Sequence, residues 1–196
     1  MDILNSNNKK IIIDGSIAYI PQIPWILNET VRNNIIFQNS FNLEKYKKVV
    51  NICQLEADFE LFKSGDMTSI SDKGDNLSGG QRVRINIARG IYNDSDIYLF
   101  DDPFSALDAY VGNEIFNKVI LEYLNGKTIL IITHALQFIP KMDYVIHMEE
   151  GKIDYFGKAT DAENKEFFKN SISNVEQKKI MSDLETMKMK KLIILN

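Results

Sequence analysis

Two apolar runs in the chain, at 97–100 and 128–132, each end in polar residues, a pattern typical of buried parallel strands. Between them, apolar positions at 110–124 recur at helical spacing. The order strand, helix, strand predicts a βαβ unit, in which the carboxyl ends of both strands lie at the same edge of the sheet.

Shorter strand signals lie on either side of this unit. Residues 11–13 and 16–20 flank Asp14-Gly15, a pair that favours turns, and indicate two strands around a tight reversal. Residues 144–148 and 152–156, joined by Glu-Glu-Gly, indicate a hairpin. We therefore expect an α/β fold with further strands before and after the βαβ unit.

Helical periodicity dominates the region from about 29 to 95. Residues 29–62 form a predicted helical insert, and a second helix is expected to begin near Ser78 with Val83, Ile87 and Ile91 on one face. From 162 to 196 the chain is polar and rich in lysine, with a weak apolar end, and we interpret it as a frayed helix or linker.

Composition narrows the functional classes. The 196 residues are 44% hydrophobic and carry a net charge of −4, without a basic patch, which argues against a nucleic acid partner. One cysteine, Cys53, excludes an internal disulfide and a thiolate zinc site and fits an intracellular compartment. No apolar run is long enough to cross a bilayer, and the first residues do not form a secretion signal.

Ser78, Gly79, Gly80 and Gln81 stand where the second predicted helix begins. A hydroxyl, unshielded backbone N–H groups and the positive end of the helix dipole together suit an anionic phosphate. An ordinary helix cap explains Ser-Gly-Gly about equally well.

Asp101 and Asp102 directly follow the buried strand at 97–100. Carboxylates at such a position suit Mg²⁺ on a nucleotide phosphate, and the second could orient or deprotonate an attacking water. An acidic turn is the simpler alternative. His134 ends the neighbouring strand, where a phosphate contact would be natural, although a lone histidine is more often structural.

In this order and spacing the motifs resemble the nucleotide-binding domain of ATP-binding cassette (ABC) transporters. Residues 77–81 match the family's LSGGQ signature, 97–101 its Walker B strand and 105–108 its D-loop. His134 matches the switch histidine and Gln22 the Q-loop glutamine. Residues 15–22, 25–26, 33–37 and 96–103 are similar to the first such domain of the C subfamily, the multidrug resistance-associated proteins.

The resemblance, which covers about residues 11–160, implies a partial P-loop NTPase (ABC ATPase) fold with a parallel core sheet and a helical subdomain at about 29–95. It makes 1–161 one partial domain and 162–196 a tail or linker. It implies ATP and Mg²⁺ as ligands, with the following residues: Asp102, His134 and Gln22 catalytic; Asp101 and Gln22 at the metal; Ser78, Gly79, Gly80, Gln81 and Asp108 at the nucleotide.

The same resemblance implies partners and location. A second nucleotide-binding domain would pair head to tail with this one, and transmembrane domains would contact residues 23–37. Core packing is an equally good explanation for the aromatic residues of that segment. The chain would be associated with the membrane on its cytoplasmic side, as part of a transporter that couples ATP hydrolysis to transport.

Two departures from the family pattern bear on activity. The phosphate-binding motif G-x-x-x-x-G-K-[ST] is absent: Gly126-Lys127-Thr128 has Leu121 at the first glycine position and precedes a strand. We therefore expect a domain that lacks its amino-terminal part. Asp102 stands where most members have glutamate, which resembles the degenerate first site of C-subfamily transporters.

Two other functions remain compatible with these residues. The chain could be a truncated ABC fragment or interaction module that hydrolyses nothing. It could also be a soluble ABC ATPase that acts on nucleic acid or ribosomes, against which the net charge and the segment 22–37 argue. Whether the chain is an enzyme stays open at this stage, and the transported substrate is not encoded here.

Overall fold

The computed structural model describes residues 13–162 and 191–195, which together contain a six-stranded sheet. In chain order the strands are β1 (Ile17–Ile20), β2 (Ile97–Asp101), β3 (Thr128–Thr133), β4 (Tyr144–Glu149), β5 (Lys152–Lys158) and β6 (Lys191–Leu195). Across the sheet they follow the order β1-β2-β3-β6-β4-β5. β1, β2 and β3 are mutually parallel, and the remaining pairings are antiparallel. The predicted βαβ unit and the carboxyl-terminal hairpin are both confirmed.

The helices also follow the predicted pattern. They are α1 (Val31–Ile36), α2 (Leu43–Ile52), α3 (Glu56–Leu61), α4 (Gly79–Asn93), α5 (Ala109–Ile115), which continues as a π-helical segment through Phe116–Tyr123, and α6 (Ala159–Ala162). Thus α1, α2 and α3 form the expected helical insert. α4 begins directly after Ser78 and buries Val83, Ile87 and Ile91, as its periodicity predicts.

Two predictions at the ends of the chain need correction. Residues 11 and 12 of the first predicted strand lie outside the described residues, Ile13 is not in a strand, and β1 pairs in parallel with β2. At the other end, Lys191–Leu195 are not a frayed helix or linker but a strand between β3 and β4, antiparallel to both. Residues 163–190 lie outside the described residues, so the interpretation of that stretch is not tested.

The hydrophobic core lies between one face of the sheet and the helices. Alternate residues of β1 show the division: Ala18 and Ile20 are buried, whereas Ile17 and Tyr19 are exposed. Tyr98 and Phe100 of β2 are buried on the same side as the inward residues of β1. This alternation leaves the other face of β1 open near the carboxyl ends of the strands.

Arg89 connects α4 to α1 and to the chain that precedes α1. Only 7% of its surface is exposed, and its guanidinium donates to the backbone oxygens of Asn34 (2.7 Å) and Trp25 (2.9 Å) and to Asn34 Oδ1 (2.7 Å). It also stacks 4.1 Å from the Trp25 ring centre. Burial lowers the pKa of Arg89 to about 10. A buried cation thus joins three segments through neutral oxygens.

Asp96 joins the beginnings of β1 and β2. Its Oδ2 accepts hydrogen bonds from both the backbone N–H and the hydroxyl of Ser16, each at 2.8 Å. Gly15 approaches so closely that a Cβ there would lie 2.9 Å from Asp96 Cβ, and its φ of +122° also requires glycine. These hydrogen bonds from Ser16 lower the pKa of Asp96, and the bond from the backbone N–H has the larger effect.

We expect this contact to make folding sensitive to acid. Because the pKa of Asp96 is lower in the folded state, its carboxylate stabilises the fold above the ordinary aspartate pKa of about 3.9, and that contribution disappears as the pH falls through the folded value. The stability difference between wild type and Asp96→Asn should therefore shrink below pH about 4. Urea unfolding at pH 7 and pH 3 measures it, with exposed Asp14→Asn as control. A constant difference at both pH values would contradict this.

Candidate functional site

Three predicted site residues meet at the carboxyl ends of β1 and β2. Asp101 is the last residue of β2, and its Oδ2 accepts a hydrogen bond of 3.1 Å from the hydroxyl of Tyr19 on β1. Gln22 follows β1 and places its Nε2 3.4 Å from Asp102 Oδ2. Each carboxylate therefore faces a neutral donor from the neighbouring strand or the turn after it.

Tyr19 is not among the site residues that the sequence predicts. Partial desolvation and, after it, the contact with Asp101 raise the pKa of Tyr19, so its hydroxyl stays protonated and donates. The signal was present in the alternation of β1, because Tyr19 points away from the core while Ala18 and Ile20 point into it. What the pattern did not contain is the parallel pairing that puts Tyr19 beside the end of β2.

The backbone at Asp102 has a conformation that aspartate tolerates better than most residues. Its φ is +46°, in the left-handed region, and its N–H donates to the backbone oxygen of Ile132 on β3 at 2.7 Å. Its own backbone oxygen accepts from the hydroxyl of Ser105 at 3.0 Å. Asp102 is thus held between β3 and the loop that follows β2.

Asp102 lies in the wall of a cleft of about 360 Å³. His134, exposed at the end of β3, and Asp108 also line it, as do Ser105 and Gln137. Asp108 has a local role as well, since its Oδ1 accepts from Val111 N–H at 2.9 Å and caps α5. The structure therefore brings Gln22, Asp101, Asp102, His134 and Asp108 to one edge of the sheet.

The segment Ser78 to Gln81 forms the first turn of α4 and does not line this cleft. Ser78 and Gln81 make a reciprocal capping box: Ser78 Oγ accepts from Gln81 N–H at 3.2 Å, and Gln81 Oε1 accepts from Ser78 N–H at 2.8 Å. A Cβ at Gly79 would meet nothing within 4 Å, whereas one at Gly80 would lie 3.5 Å from the Ala106 oxygen. The start of α4 is thus open at Gly79 and packs beside the loop after β2 at Gly80.

A buried acidic residue, Asp58 of α3, lies behind this turn. Arg84 donates to both of its oxygens, at 2.6–3.1 Å, and Gln81 Nε2 donates to Asp58 Oδ1 at 3.0 Å. Asp58 is 6% exposed. Sequence analysis missed it, because it lies 23 residues before Gln81 in the sequence and no local pattern connects the two.

The segment 23–37 presents apolar side chains to solvent. Ile23 is 83% exposed and Trp25 45%, and Trp25 packs edge-on against Phe37 with ring centres 5.5 Å apart. Asn28 Nδ2 donates to Asp72 Oδ1 of the loop before α4, at 2.6 Å. Trp25 is therefore partly exposed but still packs against Phe37.

Within residues 13–162 and 191–195, no group of three or more His, Cys, Asp or Glu side chains is arranged to hold a metal ion. In the same part of the chain, no helix has the length and apolar character required to cross a bilayer.

Known proteins match most of this chain. The family model for ABC transporters matches residues 3–105, more than half of the chain. ABC transporter C family member 9 of Arabidopsis thaliana is 47% identical over 146 residues, 74% of this chain and 10% of that protein. ATP-binding cassette sub-family C member 2 of Mus musculus is 44% identical over 164 residues, 82% of this chain and 11% of that protein.

The chain spans about a tenth of the length of the curated relatives it matches. The parallel strands β1, β2 and β3 with their helices agree with a partial ABC ATPase α/β fold, so the predicted fold class is confirmed. With the match to the family model and to these C family proteins, the resemblance seen in the motifs is confirmed as well: the chain belongs to the ABC transporter family, as part of a nucleotide-binding domain.

Proposed function

We propose that this chain is part of the ATP-binding domain of an ABC exporter and that it contributes Ser78, Gly79, Gly80 and Gln81 to a nucleotide held mainly by a second, head-to-tail domain. One observation carries the proposal. The first turn of α4 is exposed at Ser78 and open above Gly79, and it lies outside the cleft formed by the carboxylates. A phosphate at this turn would therefore have to be held from the other side by another domain.

The chemistry of the turn suits a phosphate. Ser78 uses its oxygen as an acceptor within the capping box, so its hydroxyl hydrogen remains available to donate. The positive end of the dipole of α4, a helix of 15 residues, adds to the attraction. Gly79 lets a phosphate approach the backbone N–H groups, since no side chain shields them.

The carboxylate edge suits Mg²⁺. This ion is usually bound through one or two carboxylates together with water and substrate phosphates, so Asp101 with Gln22 is a sufficient protein contribution. Asp101 is partly exposed, and its carboxylate provides oxygen ligands, the type that Mg²⁺ prefers. Bound there with ATP, the ion would supply neutralisation of phosphate charge.

The remaining predicted site residues at this edge of the sheet have proposed roles in hydrolysis. Asp102 orients or deprotonates the attacking water, and Gln22, which contacts it, helps to place that water. His134, which directly follows β3 and lines the same cleft as Asp102, donates to the terminal phosphate, and Asp108 contacts the nucleotide region from the loop after β2.

The proposal extends to the partners and location of the complete protein. Transmembrane domains dock on residues 23–37, where Ile23 and Trp25 expose apolar surface. Asp72 supports this surface through Asn28. The chain then acts on the cytoplasmic side of a membrane, without a nucleic acid partner, and ATP hydrolysis is coupled to transport.

Substitution of Ser78 tests the contribution in trans. The purified chain is mixed with a second ABC nucleotide-binding domain that carries an intact G-x-x-x-x-G-K-[ST] loop, and Mg-ATP hydrolysis is measured. We expect the chain to stimulate hydrolysis and Ser78→Ala to reduce the stimulation about 10- to 100-fold, through loss of one charge-assisted hydrogen bond.

A second variant separates phosphate contact from helix capping. Ser78→Asp keeps a good N-cap but repels the phosphate, so it should reduce stimulation at least as much as Ser78→Ala while α4 stays folded. Ser71→Ala, in the loop before α4, is the control and should have no effect. Unchanged hydrolysis in both Ser78 variants would rule the proposal out.

A second candidate function is a non-catalytic ABC fragment or interaction module. Asp102, which stands where most family members have glutamate, favours it. Under either reading the purified chain alone should release phosphate from Mg-ATP at the background rate. The two differ in the mixing experiment, in which a non-catalytic module would leave hydrolysis by the second domain unchanged.

A further inference from the structure

Both ends of the Gln81 side-chain amide make hydrogen bonds within the chain. Its Oε1 accepts from Ser78 N–H at 2.8 Å, and its Nε2 donates to Asp58 Oδ1 at 3.0 Å. Both ends of the side-chain amide thus face inward, one toward the first turn of α4 and the other toward α3. The exposed part of the turn is Ser78 and Gly79.

The two contacts of Gln81 depend on each other. A carboxylate can only accept hydrogen bonds and a backbone N–H can only donate, so the amide must present nitrogen to Asp58 and oxygen to Ser78. If the side-chain amide of Gln81 were flipped by 180°, its oxygen would face the carboxylate of Asp58 and its nitrogen would face the backbone N–H of Ser78. Asp58 therefore determines which atom of Gln81 meets Ser78.

Asp58 itself is held in place by Arg84. The guanidinium donates from Nε to Oδ2 at 3.1 Å and from Nη2 to both carboxylate oxygens at 2.6–2.8 Å. Both side chains of this ion pair are largely buried, 13% exposed for Arg84 and 9% for Asp58. The carboxylate has little freedom to rotate away from Gln81.

We propose that Asp58 is a positioning residue for the first turn of α4: through Gln81 it fixes the backbone of Ser78, while Ser78 and Gly79, the exposed residues of the turn, present the ligand-facing groups. The consequence for the site rests on the proposed function, in which this turn binds ATP phosphate. Gln81, taken from the motif as a nucleotide contact, then acts from behind the turn. Helix α3, remote in sequence, becomes part of the signature site.

An exchange of amide and carboxylate across the contact tests this directly. Asp58→Asn leaves one acceptor oxygen for two donors, Arg84 and Gln81, and Gln81→Glu sets two carboxylates against each other. In the double variant the new asparagine donates to the new glutamate, whose other oxygen still accepts from Ser78 N–H, as in a Ser-x-x-Glu capping box. Packing alone does not predict that two harmful changes cancel.

The measurement is hydrogen exchange at the Ser78 amide of the full chain, followed by NMR, with Ile131 of β3 as an internal reference. We expect exchange about five- to tenfold faster in each single variant, the effect of losing one hydrogen bond, and a return toward the wild-type rate in the double variant. Asp66→Asn is the matched control, because Asp66 receives a similar fork from Arg32 but is not bonded to Gln81.

The outcomes are separable from those of the proposed function. Unchanged exchange in the single variants overturns the role of Asp58. So does the absence of recovery in the double variant, and this second result decides the question if the single variants fail to fold. In the mixing experiment, lowered stimulation in Asp58→Asn that the double variant restores supports it. If Ser78→Ala leaves stimulation unchanged, the proposed function fails while the exchange result still decides the role of Asp58.

Discussion

Replacement of Arg89 by methionine is expected to lower the free energy of unfolding by about 2–4 kcal/mol. Methionine fills similar space but donates no hydrogen bond. The two oxygens of Asn34 and the backbone oxygen of Trp25 would each lose the guanidinium, and buried acceptors without donors are costly. The stacking of the guanidinium on the Trp25 ring would be lost as well.

The burial of the charge offsets part of this loss. The lowered pKa of Arg89 shows that the protein environment disfavours its charged form, and a neutral side chain escapes that cost. Asn34 Oδ1 would also keep one donor, the Leu27 N–H at 2.9 Å. The estimate of about 2–4 kcal/mol therefore lies below the sum of three charged hydrogen bonds.

Urea unfolding followed by circular dichroism and by tryptophan fluorescence measures the effect. Trp25 is the single tryptophan of the sequence, so its emission reports on the segment that Arg89 holds. We expect a lower midpoint and a red-shifted native emission in Arg89→Met. Arg82→Met, on the same helix but only partly buried, should change the midpoint little. Equal midpoints for the two variants would contradict the role given to Arg89.

The parts of the fold that the sequence predicts well are those with a local signal. The periodicity of Val83, Ile87 and Ile91 and the Ser78 cap suffice to place α4, and the apolar runs place β2 and β3. The positions of Asp101, Asp102 and His134 at strand ends follow from the same runs. Local patterning decides these elements because helix and strand periods differ.

The features that the sequence does not predict are contacts between distant segments. Asp58 and Arg84 are 26 residues apart and Arg89 and Asn34 are 55 apart, and charge or polarity alone does not say which residues pair. β6 was not predicted for the same reason. A short apolar run after a polar stretch does not indicate that it pairs with β3 on one side and β4 on the other. The sequence also does not predict the π-helical continuation of α5, because its apolar spacing fits an ordinary α-helix as well.

A change of Asp102 to glutamate is expected to raise ATP turnover at its own site by about 10²-fold, within the range that a well-placed general base contributes. The main chain of Asp102 is fixed by bonds to Ile132 and Ser105, so the side chain cannot advance toward a phosphate by moving its backbone. One added methylene extends its reach by about 1.5 Å. Such an increase in turnover would indicate that the reach of the carboxylate, and not the surrounding cleft, limits hydrolysis at this site.

The same backbone predicts a cost in stability. Asp102 has a φ of +46°, in the left-handed region, which aspartate adopts more readily than glutamate does. We expect Asp102→Glu to lower the free energy of unfolding by about 1 kcal/mol. Higher activity together with lower stability would separate a gain in reach from a general improvement of the fold.

The turnover experiment requires a host that supplies the phosphate-binding motif. Residues 13–162 replace the aligned segment of a full-length C family transporter such as the mouse protein, and Mg-ATP hydrolysis is compared for wild type, Asp102→Glu and Asp102→Asn. The partner site is silenced in all three, so that only the site of Asp102 contributes. We expect the glutamate variant to be fastest and the asparagine variant to fall to background, because it keeps the size of aspartate but cannot accept a proton. If aspartate and asparagine are equally slow and glutamate restores nothing, Asp102 has no part in the chemistry, and this chain's contribution is confined to the first turn of α4.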